Sequence, residues 1–146
     1  MKVRPGYVSL LNTIAIHERN SGNSLGAWAR TTPDPELRAC LALVAARETS
    51  HYHIFRRRIH ELGFRVREEE EHGHPERLKM RASAVSDLKK VRWLKDHRPV
   101  MTVDYETAGS RQDIDPLTRS LLTWFANEER DSVKLLSKAY ARVEAG

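Results

Sequence analysis

The chain has 146 residues and carries 25 lysine and arginine residues against 20 aspartate and glutamate residues, so its net charge is +5. The single cysteine, Cys40, excludes internal disulfides and any four-thiolate metal site. No apolar run approaches the roughly 18 residues that a membrane span requires, and the start of the chain lacks the apolar core of a secretory signal. We therefore expect one cytoplasmic domain over residues 1–146, with no membrane partner.

Helix 1 is predicted from residue 7 to about residue 30. Apolar side chains recur there at steps of four and three, as in a helix that buries one face: Tyr7, Leu11, Ile14, Leu25 and Trp28. Glu18 falls in the middle of this stripe. Gly22 and Gly26 each cost a helix about 1 kcal/mol relative to alanine. We expect the helix either to kink or end near them, or to let a neighbouring helix or a ligand approach closely.

Helix 2 is predicted from about residue 34 to Leu62, with Thr32 or Asp34 as its N-cap and Gly63 as its C-cap. Its apolar stripe contains Leu37, Leu41, Val44, Phe55 and Ile59. Glu48 and His51 lie in the middle of that stripe. Burying an unpaired carboxylate costs several kcal/mol, so Glu48 needs a partner. A metal ion that binds both side chains is one reading, and a plain buried Glu–His pair is the other.

The second half of the chain continues the helical pattern. Residues 63–74 are predicted to be a charged connection, and helix 3 is predicted from about Pro75 to Pro99. Asp87 lies near the apolar face of that helix. Residues 100–114 are rich in turn formers and predict a loop with a short extended piece. No part of the sequence has the pattern of a β-sheet.

Helix 4 is predicted to begin at Asp115 and Pro116, because aspartate is a good N-cap and proline suits the first turn. One strip of this helix contains Leu121, Trp124, Glu128, Asp131 and Leu135, and a second strip beside it contains Leu122, Phe125, Ser132 and Leu136. Glu128 and Asp131 repeat the three-residue spacing of Glu48 and His51. We therefore expect both acids to reach the same site.

Four helices of about 23 to 30 residues favour a four-helix bundle. Glu18 and Glu48 lie at similar distances from the turn between helices 1 and 2, and Asp87 and Glu128 lie at similar distances from the later loop. All four come level if the connection over residues 63–74 runs back along the bundle. At 3.3–3.6 Å per residue it spans about 40 Å, which is just long enough.

Residues 46–51 (Ala-Arg-Glu-Thr-Ser-His) and 127–132 (Asn-Glu-Glu-Arg-Asp-Ser) resemble the ferritin-like superfamily, particularly rubrerythrin-like di-iron carboxylate proteins. Sites in that superfamily use glutamates and Glu-x-x-His pairs on four helices. The resemblance implies an all-α, ferritin-like four-helix bundle with one long crossover connection between helices 2 and 3. It also implies two iron ions bridged by Glu48 and Glu128, with His51 and Glu18 as terminal ligands.

Two positions depart from the family pattern. Glu128 is followed by Asp131 where a second histidine is expected, and helix 3 offers Asp87 in place of a glutamate. Manganese or a single metal ion are therefore alternatives to two irons. With the single cysteine, Cys40, the chain cannot build a rubredoxin-like domain, so a redox function requires an external electron donor.

Three functions agree with these features. The first is a redox metalloprotein that reacts with O2 or peroxide, and the second is a binding or adaptor protein in which Glu18, Glu48 and His51 form a buried polar network. Iron storage is the third and requires a cage. We expect no inward lysine or arginine to balance the buried carboxylates, which favours a metal. A homodimer is expected, whereas a nucleic-acid partner is not, because the basic residues 56–58 and 89–90 read as solvated helix faces.

Overall fold

The computed structural model describes residues 4–98 and 104–146. Every regular element in these residues is an α-helix, which confirms the predicted all-α class. Three helices are long: α1 (Gly6–Thr31), α2 (Pro35–Glu61) and α6 (Pro116–Ala145). Three are short: α3 (His74–Ala82), α4 (Asp87–Asp96) and α5 (Tyr105–Ala108). None of the helices described is both long enough and apolar enough to cross a bilayer.

The start of α6 and both ends of α2 lie within one residue of the predicted positions. Asp34 caps α2 by accepting a hydrogen bond from the backbone N–H of Glu36 at 3.0 Å. Gly63 follows the last turn of α2 with a φ of 91°, a conformation that glycine adopts without the steric cost of a Cβ. Asp115 caps α6 by accepting from the backbone N–H of Thr118 at 3.0 Å.

Helices α1 and α2 form a tight antiparallel hairpin. Helix α1 is continuous through both of its glycines. A Cβ added at Gly22 would lie 3.3 Å from the carbonyl oxygen of Ala45 and 2.6 Å from the hydroxyl of Thr49, both on α2. Of the two roles expected for the glycines, Gly22 therefore has the second, a close helix approach. This contact sets the spacing between Glu18, one turn before Gly22, and Glu48 on the facing helix.

The connection from α2 to α3 runs beside α1. The side chain of Asn12 donates to the carbonyl oxygen of Arg67 at 2.9 Å and accepts from its N–H at 2.7 Å. Further along, the Asn20 amide donates to Glu71 at 3.3 Å. Residue numbers rise in the same direction along α1 and along the connection. The connection therefore runs parallel to α1 and leads back from the end of α2.

The prediction of one long third helix is wrong, because the structure has the separate helices α3 and α4 there. The hydroxyl of Ser83 donates to the carbonyl oxygen of Met80 at 2.7 Å, where α3 ends. Ser86 then caps α4 by accepting from the backbone N–H of Lys89 at 3.2 Å. Serine hydroxyls offer the backbone local hydrogen bonds that compete with a helix. The apolar pattern continues across this segment although the helix does not.

The predicted loop over residues 100–114 is described from residue 104 onward, where it contains α5. Pro99, which we expected to close the third helix, lies outside the described residues. Within the described part of the loop, Ile114 is buried and joins the apolar core.

Two apolar clusters fill the interior, one at each end of the α1–α2 hairpin. The first includes Leu11, Ile14, Phe55, Ile59, Leu122 and Phe125. The second includes Leu25, Trp28, Leu37, Leu41, Val91 and Leu94. The middle of α1 and the middle of α2 lie between the clusters. Glu18, Glu48 and His51 therefore form a buried polar layer with apolar side chains on both sides.

Candidate metal centre

The polar layer brings a carboxylate pair to one nitrogen of His51. Glu18 and His51 are fully buried at 0% exposure, and Glu48 is 6% exposed. The Oε1 atom of Glu18 lies 2.8 Å from Nδ1 of His51, and Oε1 of Glu129 lies 3.5 Å from the same nitrogen. In the part of the chain that the structure describes, one group of potential ligand atoms falls within 4.8 Å of one another: Glu18, His51 and Glu129.

The other nitrogen of His51 is held by Glu128, whose Oε1 lies 2.7 Å from Nε2. The edges of Trp124 and Phe125 pack against the imidazole, with ring centroids 5.2 Å and 5.1 Å away. A histidine that binds a metal through one nitrogen usually donates its other N–H to a carboxylate, which fixes the tautomer and the ring orientation. Glu128 stands in this relation to Nε2 and holds the imidazole of His51 from the side opposite Glu18 and Glu129.

The charges in this layer are strongly coupled. Burial raises the pKa of Glu18 and of Glu48 well above the ordinary value of 4.5, and the carboxylate of Glu129 raises both further. The neighbouring carboxyl of Glu18 also raises the pKa of Glu48, so the two acids resist being ionised together. For His51, burial lowers the pKa, but the neighbouring carboxylates of Glu129 and Glu128 outweigh it and the net pKa is raised.

Three carboxylate oxygens of the layer are buried without a hydrogen-bond partner: Glu18 Oε2, Glu48 Oε2 and Glu129 Oε1. Leaving a buried acceptor unpaired costs about 1–3 kcal/mol, and more for a charged group. Carboxylate oxygens and an imidazole nitrogen are together the donor set that iron, manganese and zinc accept. A divalent cation held by Glu18, His51 and Glu129 would pair with buried carboxylate oxygens and reduce the repulsion among the acids.

The inward face of α6 differs from the predicted one by a single residue. The predicted strip is largely outside, since Trp124 is 37% exposed and the side chain of Asp131 is 57% exposed. The strip beside it contains the buried residues Leu122, Phe125 and Ser132, with Glu129 and Leu136 half-buried on the same face. Consecutive helical residues point about 100° apart, so a shift of one residue replaces Glu128 by Glu129 at Nδ1 of His51. The sequence did contain a signal for this face, because the strip of Glu129 also carries Leu122, Phe125 and Leu136.

The two predicted aspartate ligands lie outside the group of ligand atoms around His51. Asp131 forms an ion pair with Arg47 at 2.7 Å. Asp87 accepts hydrogen bonds from the indole N–H of Trp28 at 2.9 Å and from the hydroxyl of Thr32 at 2.7 Å. The break between α3 and α4 places Asp87 in the first turn of α4, near the end of α1.

A second histidine–carboxylate pair lies next to the site, and the sequence analysis missed it. Nδ1 of His17 bonds to Glu71, which belongs to the connection before α3. Burial lowers the pKa of His17, but Glu71, Glu48 and Glu129 outweigh it and the net pKa is raised. His17 directly precedes Glu18, which was the available signal. The acidic run that contains Glu71 resembles a solvated linker, so its inward turn was not apparent.

The expectation that no lysine or arginine points inward is wrong. Arg77 is 5% exposed and Lys90 is 1% exposed. The ammonium group of Lys90 donates to the hydroxyl of Thr31 at 3.0 Å and to the carbonyl oxygen of Arg81 at 2.8 Å. Neither Arg77 nor Lys90 forms an ion pair with a carboxylate of the polar layer.

No family model, no curated protein and no solved structure matches this chain. The resemblance to the ferritin-like superfamily therefore stays a prediction. Fold and site together define an all-α protein with a buried group of Glu18, His51 and Glu129 that has the donor atoms to hold a metal ion.

Proposed function

We propose that this chain is a metal-binding helical protein whose ion is held by Glu18, His51 and Glu129, with Glu48 beside it. The observation that supports the proposal best is the set of buried carboxylate oxygens without hydrogen-bond partners around one imidazole. A metal ion is the smallest partner that satisfies several such oxygens at once. The apolar clusters on both sides would keep competing water away from the ion.

The further identity of the site rests on the ferritin-like resemblance. We infer iron, with two ions as the expected number and manganese or a single ion as the alternatives. Glu48 is the carboxylate available for sharing between two ions, and His17 is the second imidazole close by. The connection that runs parallel to α1 supports a ferritin-like bundle with a crossover between helices 2 and 3, whereas the broken third helix departs from it.

Bound iron would supply the redox chemistry of an oxidoreductase that uses O2 or peroxide, with an external electron donor. The chain itself contributes orientation and proton control. Glu128 holds the imidazole of His51 from its far side. Burial and the neighbouring acids raise the pKa of Glu48, and a carboxyl must be deprotonated to bind a cation, so metal binding should release protons.

The test is uptake of ferrous iron under anaerobic conditions, measured as metal content per chain and as a dissociation constant. We expect one or two irons in the wild type and at least about a tenfold loss of affinity in Glu18→Gln and Glu129→Gln, because each loses a charged ligand. Glu128→Gln should weaken binding less. Glu70→Gln changes an exposed carboxylate of the connection and is the matched control.

The metal proposal fails if the folded wild type takes up none of Fe2+, Mn2+ and Zn2+. It also fails if Glu18→Gln and Glu129→Gln bind iron as tightly as Glu70→Gln does. Far-UV circular dichroism and a urea titration on each variant separate loss of the site from loss of the fold.

A binding or adaptor protein without catalysis is the second candidate, and one feature of the polar layer favours it. Both ring nitrogens of His51 already have carboxylate partners, at 2.8 Å and 2.7 Å. A protonated His51 and a protonated Glu48 would give a polar network that fixes the register of the helices without a metal. Under this function the wild type binds no metal, and analytical ultracentrifugation should show the homodimer or partner complex instead.

A further inference from the structure

A groove of about 480 Å³ lies beside the candidate metal centre, between α1, α3, α4 and α6. Its apolar lining includes Val91, Leu94, Phe125, Val133 and Leu136. Glu129 and His17 line it where it meets the polar layer, and Arg81 and Tyr140 line it as well. A concave, mostly apolar space of this size with a few polar groups is typical of small-molecule sites.

Among the described residues, three cations line the groove, and Arg81 is the one that is both enclosed and without an anionic partner. Lys95 pairs with Glu144 at 2.6 Å, and Arg98 is exposed. Nη1 of Arg81 donates to the hydroxyl of Ser24 at 2.6 Å, and the phenol of Tyr140 also interacts with the guanidinium, so both of these partners are neutral. Nε of Arg81 is buried and has no hydrogen-bond partner, and none of the ion pairs among the described residues includes Arg81. Burial lowers the pKa of this guanidinium, against the smaller opposite effects of Tyr140 and Glu48.

A buried guanidinium without an anion is costly. The planar fork of an arginine fits a carboxylate through two parallel hydrogen bonds. A bound carboxylate would therefore lie at Arg81. The apolar walls of the groove favour a ligand whose remaining part is apolar. The groove follows α6 from Tyr140, beside Arg81, to Glu129. The two residues are eleven positions apart, which corresponds to about 16 Å at the helical rise of 1.5 Å per residue.

We propose that the groove binds a small carboxylic acid with an apolar body, the carboxylate on Arg81 and the apolar body along α6 toward Glu129. The binding itself requires no metal. The inference rests on the proposed function in one respect only: if Glu129 holds a metal, the end of the bound acid away from its carboxylate would lie next to that metal.

The test uses octanoate and 1-octanol as probes, which share a chain and differ in charge, in isothermal titration calorimetry of the chelator-treated protein. We expect one saturable octanoate site and at least tenfold weaker binding of 1-octanol. Arg81→Met keeps the length of the side chain and removes the charge, so it should lose octanoate affinity at least tenfold and lose the preference over 1-octanol. Leu136→Trp fills the groove and should weaken both probes.

Arg57→Met is the matched control, because Arg57 is an exposed arginine on α2 outside the groove. The proposal is overturned if the folded wild type shows no saturable octanoate binding, or if Arg81→Met binds octanoate as the wild type does. The comparison of the two probes on the wild type needs no variant and stays informative if Leu136→Trp does not fold.

Iron uptake measured on the same preparations separates the two proposals. Octanoate binding without iron uptake would overturn the metal centre and leave the groove. Iron uptake without octanoate binding would overturn the groove and leave the metal centre.

Discussion

Replacing Gly22 by alanine tests the close helix contact that brings Glu18 to the level of Glu48. The added Cβ would lie 2.6 Å from the hydroxyl oxygen of Thr49 and 3.3 Å from the carbonyl oxygen of Ala45. The hydroxyl can rotate away, but the carbonyl belongs to the backbone of α2. The two helices must therefore move apart by a few tenths of an ångström at the centre of the site.

Gly26→Ala supplies the reference, because Gly26 lies on the same helix and its added Cβ would meet only the side chain of Arg30, at 3.5 Å. Alanine improves helix propensity by about 1 kcal/mol at either position. Overpacking a tight contact costs about 1–3 kcal/mol. We therefore expect Gly26→Ala to stabilise the protein by about 1 kcal/mol. Gly22→Ala should be about 1–3 kcal/mol less stable than Gly26→Ala, since the propensity gain cancels in the comparison.

Urea denaturation and thermal melting measure this difference. One kcal/mol corresponds to about 3 °C in a domain of this size, so the melting temperatures of the two variants should differ by about 3–9 °C. Iron affinity should fall in Gly22→Ala alone, because the movement of α1 displaces Glu18 from His51. Equal stability of the two variants would refute the argument that the α1–α2 approach is tight at Gly22.

Two further predictions concern the acids. Asp87→Asn should cost about 1–2 kcal/mol in a urea titration, because two hydrogen bonds from Trp28 and Thr32 lose a charged acceptor, and should leave iron uptake unchanged. Loss of iron uptake in Asp87→Asn would instead indicate that Asp87 is a metal ligand, as the sequence predicts. In chelator, the stability of the wild type should fall as pH rises above 4.5, because folded Glu18 and Glu48 keep protons that the unfolded chain releases. Bound iron should reverse this trend. A urea midpoint that rises with pH in the metal-free protein would contradict the prediction.

Local chemistry in the sequence was enough to predict most of the secondary structure. Asp34, Gly63 and Asp115 mark the helix ends because capping depends on residues within one turn. The burial of Glu18 and His51 was equally readable, since each lies within a stripe whose apolar members must face the interior. These features depend only on helical periodicity, which the sequence contains in full.

The break between Ser83 and Ser86 was hidden because the apolar pattern continues across it. At the break, the hydroxyls of Ser83 and Ser86 form hydrogen bonds with backbone groups that a continuous helix would pair with other backbone groups. The resulting short α4 carries Asp87 to Trp28, away from the acids with which it was expected to align.

Only the tertiary structure decided which groups meet at the site. Glu128 and Glu129 differ by about 100° around α6, and the packing of that helix against its neighbours decides which nitrogen of His51 each one faces. His17 and Glu71 are 54 residues apart and meet because the connection before α3 turns along α1. Nothing in the sequence indicated that Arg81 lacks an anionic partner, since this depends on the groups that surround the guanidinium after folding. Periodicity determines which side of a helix is buried, whereas the partner of each buried charge is fixed only when the helices pack together.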